Sequence, residues 1–251
     1  MTALTYTRIE LLRTVRNRQS LFFALAFPIL FYFLLAAPNK NNHNFGGDAT
    51  HHTGLFAPQY YMVGLLAFGS MVAVLSGGAR IAAERTIGWN RQLRLTPLSA
   101  GAYLRTKILT GYLLAACTLV LLFLGGISLG VRLPFDQWLH MTGLILVALI
   151  PFAALGIGMG HLLNDDAAGT GIGVGASLFA FLGGTWFPLT GTGLFIGFCK
   201  CLPSFWLVQA GHVGLGLSNP WPAQAWLVIA AWSAVSIAFA AWAYRRDTSR
   251  G

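Results

Sequence analysis

Few residues in this chain could do chemistry on their own. His43, His51 and His52 share a loop rich in Asn and Gly, and three imidazoles can hold a metal ion. The loop has no ligand spacing pattern, so a solvated loop is the better reading. Cys199 and Cys201 flank Lys200 and could take a soft metal or a strained bridge. That spacing suits disulfide geometry poorly, which favours reduced or partner-linked thiols. Cys117 reads as a small buried apolar residue, and His161 as structural. The glycine runs 156–160 and 169–175 invite a phosphate-loop reading, but neither follows a strand or ends in Gly-Lys-Ser/Thr. Small residues four apart, Gly156 with Gly160 and Gly171 with Gly175, fit close helix packing instead. No Ser/His/Asp or paired-carboxylate arrangement stands out, and His-Glu-x-x-His is missing. The expectation is a chain without catalytic residues, metal site or cofactor of its own.

Charge, by contrast, is concentrated in residues 84–99. Glu84, Arg85, Arg91 and Arg94 stand among Ile87, Leu93 and Leu95 at helix-like spacing. Pro97 should end that helix, because it lacks a donor and restricts Thr96 before it. Ser99 can cap a further helix that carries Arg105 and Lys107. A short basic amphipathic helix, a kink and a second helix start are therefore predicted at a membrane face.

A membrane must position these elements. Hydrophobic residues make up 56% and charged residues 9% of the chain, against roughly 25% charged in a soluble domain. Spans need about 20 mainly apolar residues. Residues 22–37, 60–83, 108–130, 141–163, 167–187 and 223–244 qualify, the first only barely, predicting an all-α protein with six transmembrane helices. The first run lacks a small-residue cleavage site, so no signal peptide is expected, and no soluble domain remains outside the spans. An even number of spans puts both termini on one side. Arg8, Arg13, Arg16 and Arg18, the basic residues around 80–107, and Arg245, Arg246 and Arg250 all fall on that side. Only Lys40, Arg132 and Lys200 are left for the other, so both termini are expected in the cytoplasm. With its charges at span ends, the net +9 reads as orientation and headgroup contact rather than nucleic-acid binding.

Residues 1–20 read as a cytoplasmic surface helix with Leu4, Leu11, Leu12 and Val15 on an apolar stripe and Glu10, Arg13 and Arg16 facing elsewhere. Pro28 should kink the first span. Residues 188–222 are apolar but cut by Gly191, Gly193, Pro203 and Gly211 into pieces too short to cross. A seventh span there would put Arg245 and Arg246 outside, so a re-entrant helical hairpin between spans five and six is predicted. Trp186, Trp206, Trp221 and Trp226 stand where interfacial anchors would. Ionisable groups are almost missing from the span centres, where ion-coupled transporters place them, and no repeat of interrupted helices is evident. Such a chain has no energy source, yet carries a basic element on its inner face.

The whole pattern resembles the ABC-2 type transporter permease family, membrane subunits of bacterial exporters related to multidrug-resistance, antibiotic-export and polysaccharide-export systems. Glu84-Arg85 with Gly88, Leu93, Pro97 and Leu98 is similar to the family's motif after span two, with Thr86 in place of its usual acidic residue. The segment from Gly184 through Thr185, Trp186 and Phe187 to Pro188 is similar to the motif leading into the re-entrant region. The resemblance implies a single transmembrane domain over residues 1–251, with a coupling loop at 84–107, in the bacterial plasma membrane. It also implies a homodimer bound to two copies of a cytoplasmic ATP-binding subunit, which would hold ATP and Mg. Glu84, Arg85, Gly88, Trp89, Arg91, Leu93, Arg94 and Pro97 would form the coupling helix against that subunit, with Asp165 and Asp166 a second contact. Substrate would pass at the dimer interface, lined by spans one, two and five, and exit past the re-entrant helices, with Trp186, Phe187, Pro188, Pro203 and Trp206 in that exit region. Export of an amphiphilic small molecule (drug, antibiotic or lipid) is the expected function. A glycan or lipid-linked polysaccharide exporter is the alternative, and a membrane-embedded lipid-modifying enzyme the alternative of another class.

Overall fold

The computed structural model describes residues 3–43, 45, 56–89, 92, 95–96, 98–189, 193–214 and 221–248. Within them the protein is helical. It opens with α1 (Ala3–Arg16), followed by α2 (Arg18–Leu21), a π-helical turn (Phe22–Ala26) and α3 (Phe27–Ala36). Next come α4 (Ala57–Thr86), α5 (Ala100–Ser128), α6 (Phe135–Ala148) and α7 (Ile150–Leu162). The remainder is α8 (Asp165–Gly183), α9 (Leu194–Lys200), α10 (Pro203–Gly214) and α11 (Ala223–Thr248).

Five stretches are long and apolar enough to cross a bilayer: α4, α5, Phe135–Leu162, α8 and α11. Phe22–Ala36 is apolar but shorter. It continues α2 without interruption, and helical residues 18–36 together reach about 28 Å at 1.5 Å per residue. α9 and α10 form a pair bent by 82°, which supplies at most a sixth crossing by length and composition. The bend falls at Cys201 and Leu202, ahead of Pro203 at the start of α10.

Pro28 acts where expected, and the structure shows how its cost is met. Lacking an N–H, it leaves the carbonyl four residues back, Ala24, without its helical donor. The Thr118 hydroxyl of α5 donates to that oxygen at 2.9 Å. The wide turn at Phe22–Ala26 and this cross-helix bond hold the first apolar segment against α5.

α4 is the centre of the bundle. Its apolar window is 89% buried, against 17% for α11, and α3, α5, α7, α8 and α10 surround it. α11 lies outside on α7, α10 lies on α6, and α1 crosses the start of α5. Small residues permit this crowding. A Cβ on Gly78 would overlap the Gly156 backbone, and one on Gly160 would meet Gly78 and Ile81. The Ser76–Ala79 patch and the Gly156–Gly160 pair thus serve one helix contact, as their spacing implied. Gly171 and Gly175 do not share that role. A Cβ on Gly175 would meet nothing within 4 Å, and Gly171 faces only side chains of Met159 and Leu163, because this face of α8 is turned outward.

Tyr6, Glu10 and Thr14 are the buried positions of α1, while Leu12 and Val15 are exposed. The polar stripe faces the protein because Lys107 and Arg80 await it there. Gly78→Leu should lower the melting temperature in detergent by an amount corresponding to about 1–3 kcal/mol of overpacking. Gly143→Leu, at a position open within 4 Å, should leave it unchanged. Equal melting of both variants would overturn the backbone contact between α4 and α7.

Candidate coupling site

α1, the C-terminal end of α4 and the N-terminal part of α5 meet in a buried ionic cluster. Lys107 lies one helical turn above Tyr103 and its side chain has no exposure to solvent. Its Nζ donates to Glu10 Oε1 at 2.7 Å and to Glu84 Oε1 at 2.6 Å. Tyr103 donates its hydroxyl to the other Glu84 oxygen at 2.9 Å. Arg80 Nε lies 3.7 Å from Glu10, and its Nη2 reaches Thr110 Oγ1 at 3.4 Å. Arg13, the outermost cation, lies 3.7 Å from Glu84 with its guanidinium over the Trp89 ring at 4.2 Å. The hydroxyls of Thr7 and Thr106 are 3.0 Å apart beside them. Burial, with Glu84 and Glu10 close by, pushes the Tyr6 phenol above its usual value, so that it stays neutral.

The next residue along α4 makes a second clamp. Arg85 binds Asp247 Oδ1 of α11 through Nε and Nη2, both at 2.9 Å. Its Nη1 donates to the carbonyls of Gly160 and Leu163 at 3.1 and 3.0 Å. These oxygens belong to the end of α7, where a cation suits the helix dipole. Asp247 also holds His161 Nδ1 at 2.9 Å, and the imidazole stands edge-on to Tyr244. The structural role expected of His161 is therefore specific: it ties α7 to α11.

Glu84 and Arg85 thus close α4 rather than open a separate helix. α4 runs unbroken to Thr86, and Gly88 turns the chain with φ 71°, a left-handed value that suits glycine. Beyond it Trp89 is half-buried against Tyr6, Ile81 and Tyr103, while Ile87 and Leu95 are exposed. Arg91, Leu93, Arg94 and Pro97 lie outside the described residues. Ser99 does cap α5, accepting from Ala102 N at 3.2 Å. Asn164 caps α8 through Ala167 N at 2.9 Å, with Asp165 and Asp166 exposed in the favourable first turn.

Asp165 and Asp166 also border a cavity of 840 Å³ that lies between the first apolar segment, α4 and α8. Phe23, Phe27, Phe68 and Ile172 give it an apolar wall; Arg80, Ser76 and Thr170 give it polar groups. Among the described residues Arg80 Nη1 has no hydrogen-bond partner.

At the opposite end of the bundle, Trp186 packs against Phe31 and Phe68, and Trp206 is buried with its Nε1 donating to Lys200 O at 2.8 Å. These two rings are core residues before they are anchors. Phe187 is exposed, Pro188 follows it, and Pro203 begins α10. Cys199 is buried and Cys201 exposed, both as free thiols. His43 stacks on Phe56, with ring centroids 4.7 Å apart, and His51 and His52 lie outside the described residues. Among the described residues no group of three or more His, Cys, Asp or Glu side chains could hold a metal ion.

Sequence reading missed Glu10, Arg80, Tyr103 and Asp247 as partners in these contacts. The signal was scarcity: the chain has 7 acidic residues, and Glu10, Glu84 and Asp247 stand beside basic clusters at the ends of apolar runs.

Residues 38–242 match a family described as ABC-2 family transporter protein. The chain is also 29% identical over 182 residues, 71% of each protein, to Putative transport permease YvfS of Bacillus subtilis (strain 168). The matched region contains α4 with Glu84 and Arg85 at its end, Lys107 and Tyr103 of α5, and the bent pair α9 and α10, while Glu10 and Asp247, which complete the two clamps, lie just outside it. By its sequence and its multi-pass helical architecture, the chain belongs to the ABC-2 family of transporter membrane proteins.

Proposed function

We propose that this chain is the membrane subunit of an exporter that moves an amphiphilic small molecule (drug, antibiotic or lipid) with ATP hydrolysed by a separate cytoplasmic subunit. The family implies association with such an ATP-binding subunit. Two copies of each, with both termini cytoplasmic, complete the proposed assembly.

The observation that carries the reading is the double clamp at the root of residues 87–98. Glu84 ties α4 to α5 and α1, and Arg85 ties it to α7 and α11. A partner that pushes on the stretch from Gly88 to Pro97 therefore pushes five helices together. In this division of labour Glu84 and Arg85 transmit force, while Trp89, Arg91, Leu93 and Arg94 make the contact. Apolar anchors and charged side chains facing an acidic partner surface would give that contact stiffness and register. Asp165 and Asp166, exposed at the start of α8, form the second contact.

The cavity between the first apolar segment, α4 and α8 supports an amphiphilic substrate, since aromatic rings line one part and charged groups another. The face of α8 that carries Gly169 and Gly173, both uncovered, supports pairing with a second copy that would complete the pathway. The bent pair α9 and α10 is read as re-entrant on the exit side, with Trp186, Phe187, Pro188, Pro203 and Trp206 around the outlet.

The test is reconstitution with the ATP-binding subunit in liposomes, scoring ATP hydrolysis and export across amphiphiles and lipid-linked oligosaccharides. Stimulation by amphiphiles supports the proposal; response to oligosaccharides alone, or metal-dependent lipid turnover by this chain alone, rejects it. Arg94→Ala should leave insertion intact and weaken capture of the ATP-binding subunit roughly thirtyfold, the scale of an interface anchor worth about 2 kcal/mol. Undiminished capture would remove Arg94 from the contact. Lys107→Met should strand two buried carboxylates, costing about 3–5 kcal/mol of stability. It should also lower transport per ATP hydrolysed, measured on the folded fraction, whereas Lys107→Arg should retain part of both. In a cysteine-free background, Ser99→Cys should be labelled only from inside and Gly47→Cys only from outside. External labelling of both would reject the orientation.

A further inference from the structure

A second cavity, of 780 Å³, opens on the outer side of the bundle between α5, α7 and α11. Its concavity comes from small residues. Ala153 and Ala154 of α7 form the floor and Ala241 of α11 one flank, so three long apolar helices leave a trough where larger side chains would have filled it. Its wall is continuous along α5 from Arg105 to Tyr112 and along α11 from Ile237 to Arg245. At 1.5 Å per residue it is about 10–12 Å long, roughly a third of a hydrocarbon core about 30 Å thick.

The trough has a charged end. Arg105 lies two residues from Tyr103, which bonds Glu84, and Arg245 lies two residues from Asp247, which bonds Arg85. Glu84 and Arg85 are neighbours, so both guanidinium groups stand at the same end of the trough. Both side chains are exposed, and among the described residues neither has an ion-pair partner. Asp247, the carboxylate nearest in sequence, is committed to Arg85 and His161.

We propose that this trough holds one anionic phospholipid, with its phosphodiester between Arg105 and Arg245 and an acyl chain along the alanines. Charge complementarity selects this occupant: paired guanidinium groups suit a phosphate, and the alkyl trough beneath them suits a chain covalently joined to it. A free phosphate would leave the apolar part empty. A second copy of this chain, docked here by two-fold symmetry, would bring four arginines together around one axis. The inference needs only a bilayer and no transport partner, so its failure would leave the exporter reading standing.

The experiment is native mass spectrometry of the full chain released from nanodiscs containing equal phosphatidylglycerol and phosphatidylcholine. One phosphatidylglycerol is expected per chain, retained in preference to phosphatidylcholine. The double variant Arg105→Gln, Arg245→Gln should reduce that preference about thirtyfold, two basic contacts at the strength typical of a charged membrane surface. Ala241→Phe, which keeps both arginines and fills the trough, should release the lipid. Millimolar inorganic phosphate should not displace it. Equal retention of the two lipids, a preference undiminished in both variants, or displacement by phosphate would overturn the assignment. So would efficient cross-linking of Ile237→Cys between two copies in the membrane.

Discussion

Lys107 sits where an ammonium group cannot reach water, and its two carboxylate partners come from different helices. Desolvating a charge costs several kcal/mol, which only well-placed opposite charges can offset. Here the offset requires α1 to bring Glu10 and α4 to bring Glu84 to the same point on α5. Tyr103 donates to Glu84, the Arg80 guanidinium stands 3.7 Å from Glu10, and Arg13 approaches from the open side. Of the geometries in which these helices could meet, most would strand at least one buried charge. The cluster therefore fixes relative position more than it adds net stability, a use of buried ions known from other folds.

The same region makes sense of the family motif. Its two adjacent charged residues point different ways from the end of one helix, and each binds a different pair of neighbours. Arg85 satisfies carbonyls that the end of α7 would leave unbonded, and Asp247 supplies the counter-charge from α11. The chain leaves this rigid root at Gly88 with a backbone angle that suits glycine. A firm base and an abrupt exit are what a contact element needs if displacement is not to be lost in bending.

Much of this was legible beforehand. Long apolar runs located five of the six expected spans, because in a bilayer every backbone group must bond internally and a helix does so at a readable length, while the first run is a shorter apolar helix. Ser99 as a cap and the glycines at 78, 156 and 160 as contact points followed from local chemistry. What α1 packs on did not, since its buried stripe of Tyr6, Glu10 and Thr14 is chosen by Lys107, almost a hundred residues away. The partners of Glu84 and Arg85 were likewise set by long-range packing that spacing along one helix cannot reveal. Trp186 and Trp206 misled in the opposite way: their positions suited anchors, while neighbouring rings and the Lys200 carbonyl drew them inward.

The glycine contact between α4 and α7 has a mechanical meaning. Where Gly78 meets Gly156, two backbones touch with no side chain between them to act as a bearing. Sliding α4 by one turn would bring Val74 or Ala82 to that point, and neither has room there. Piston strokes are thereby disfavoured, and torque applied at the Glu84–Arg85 end of α4 would tilt the two helices as a single beam.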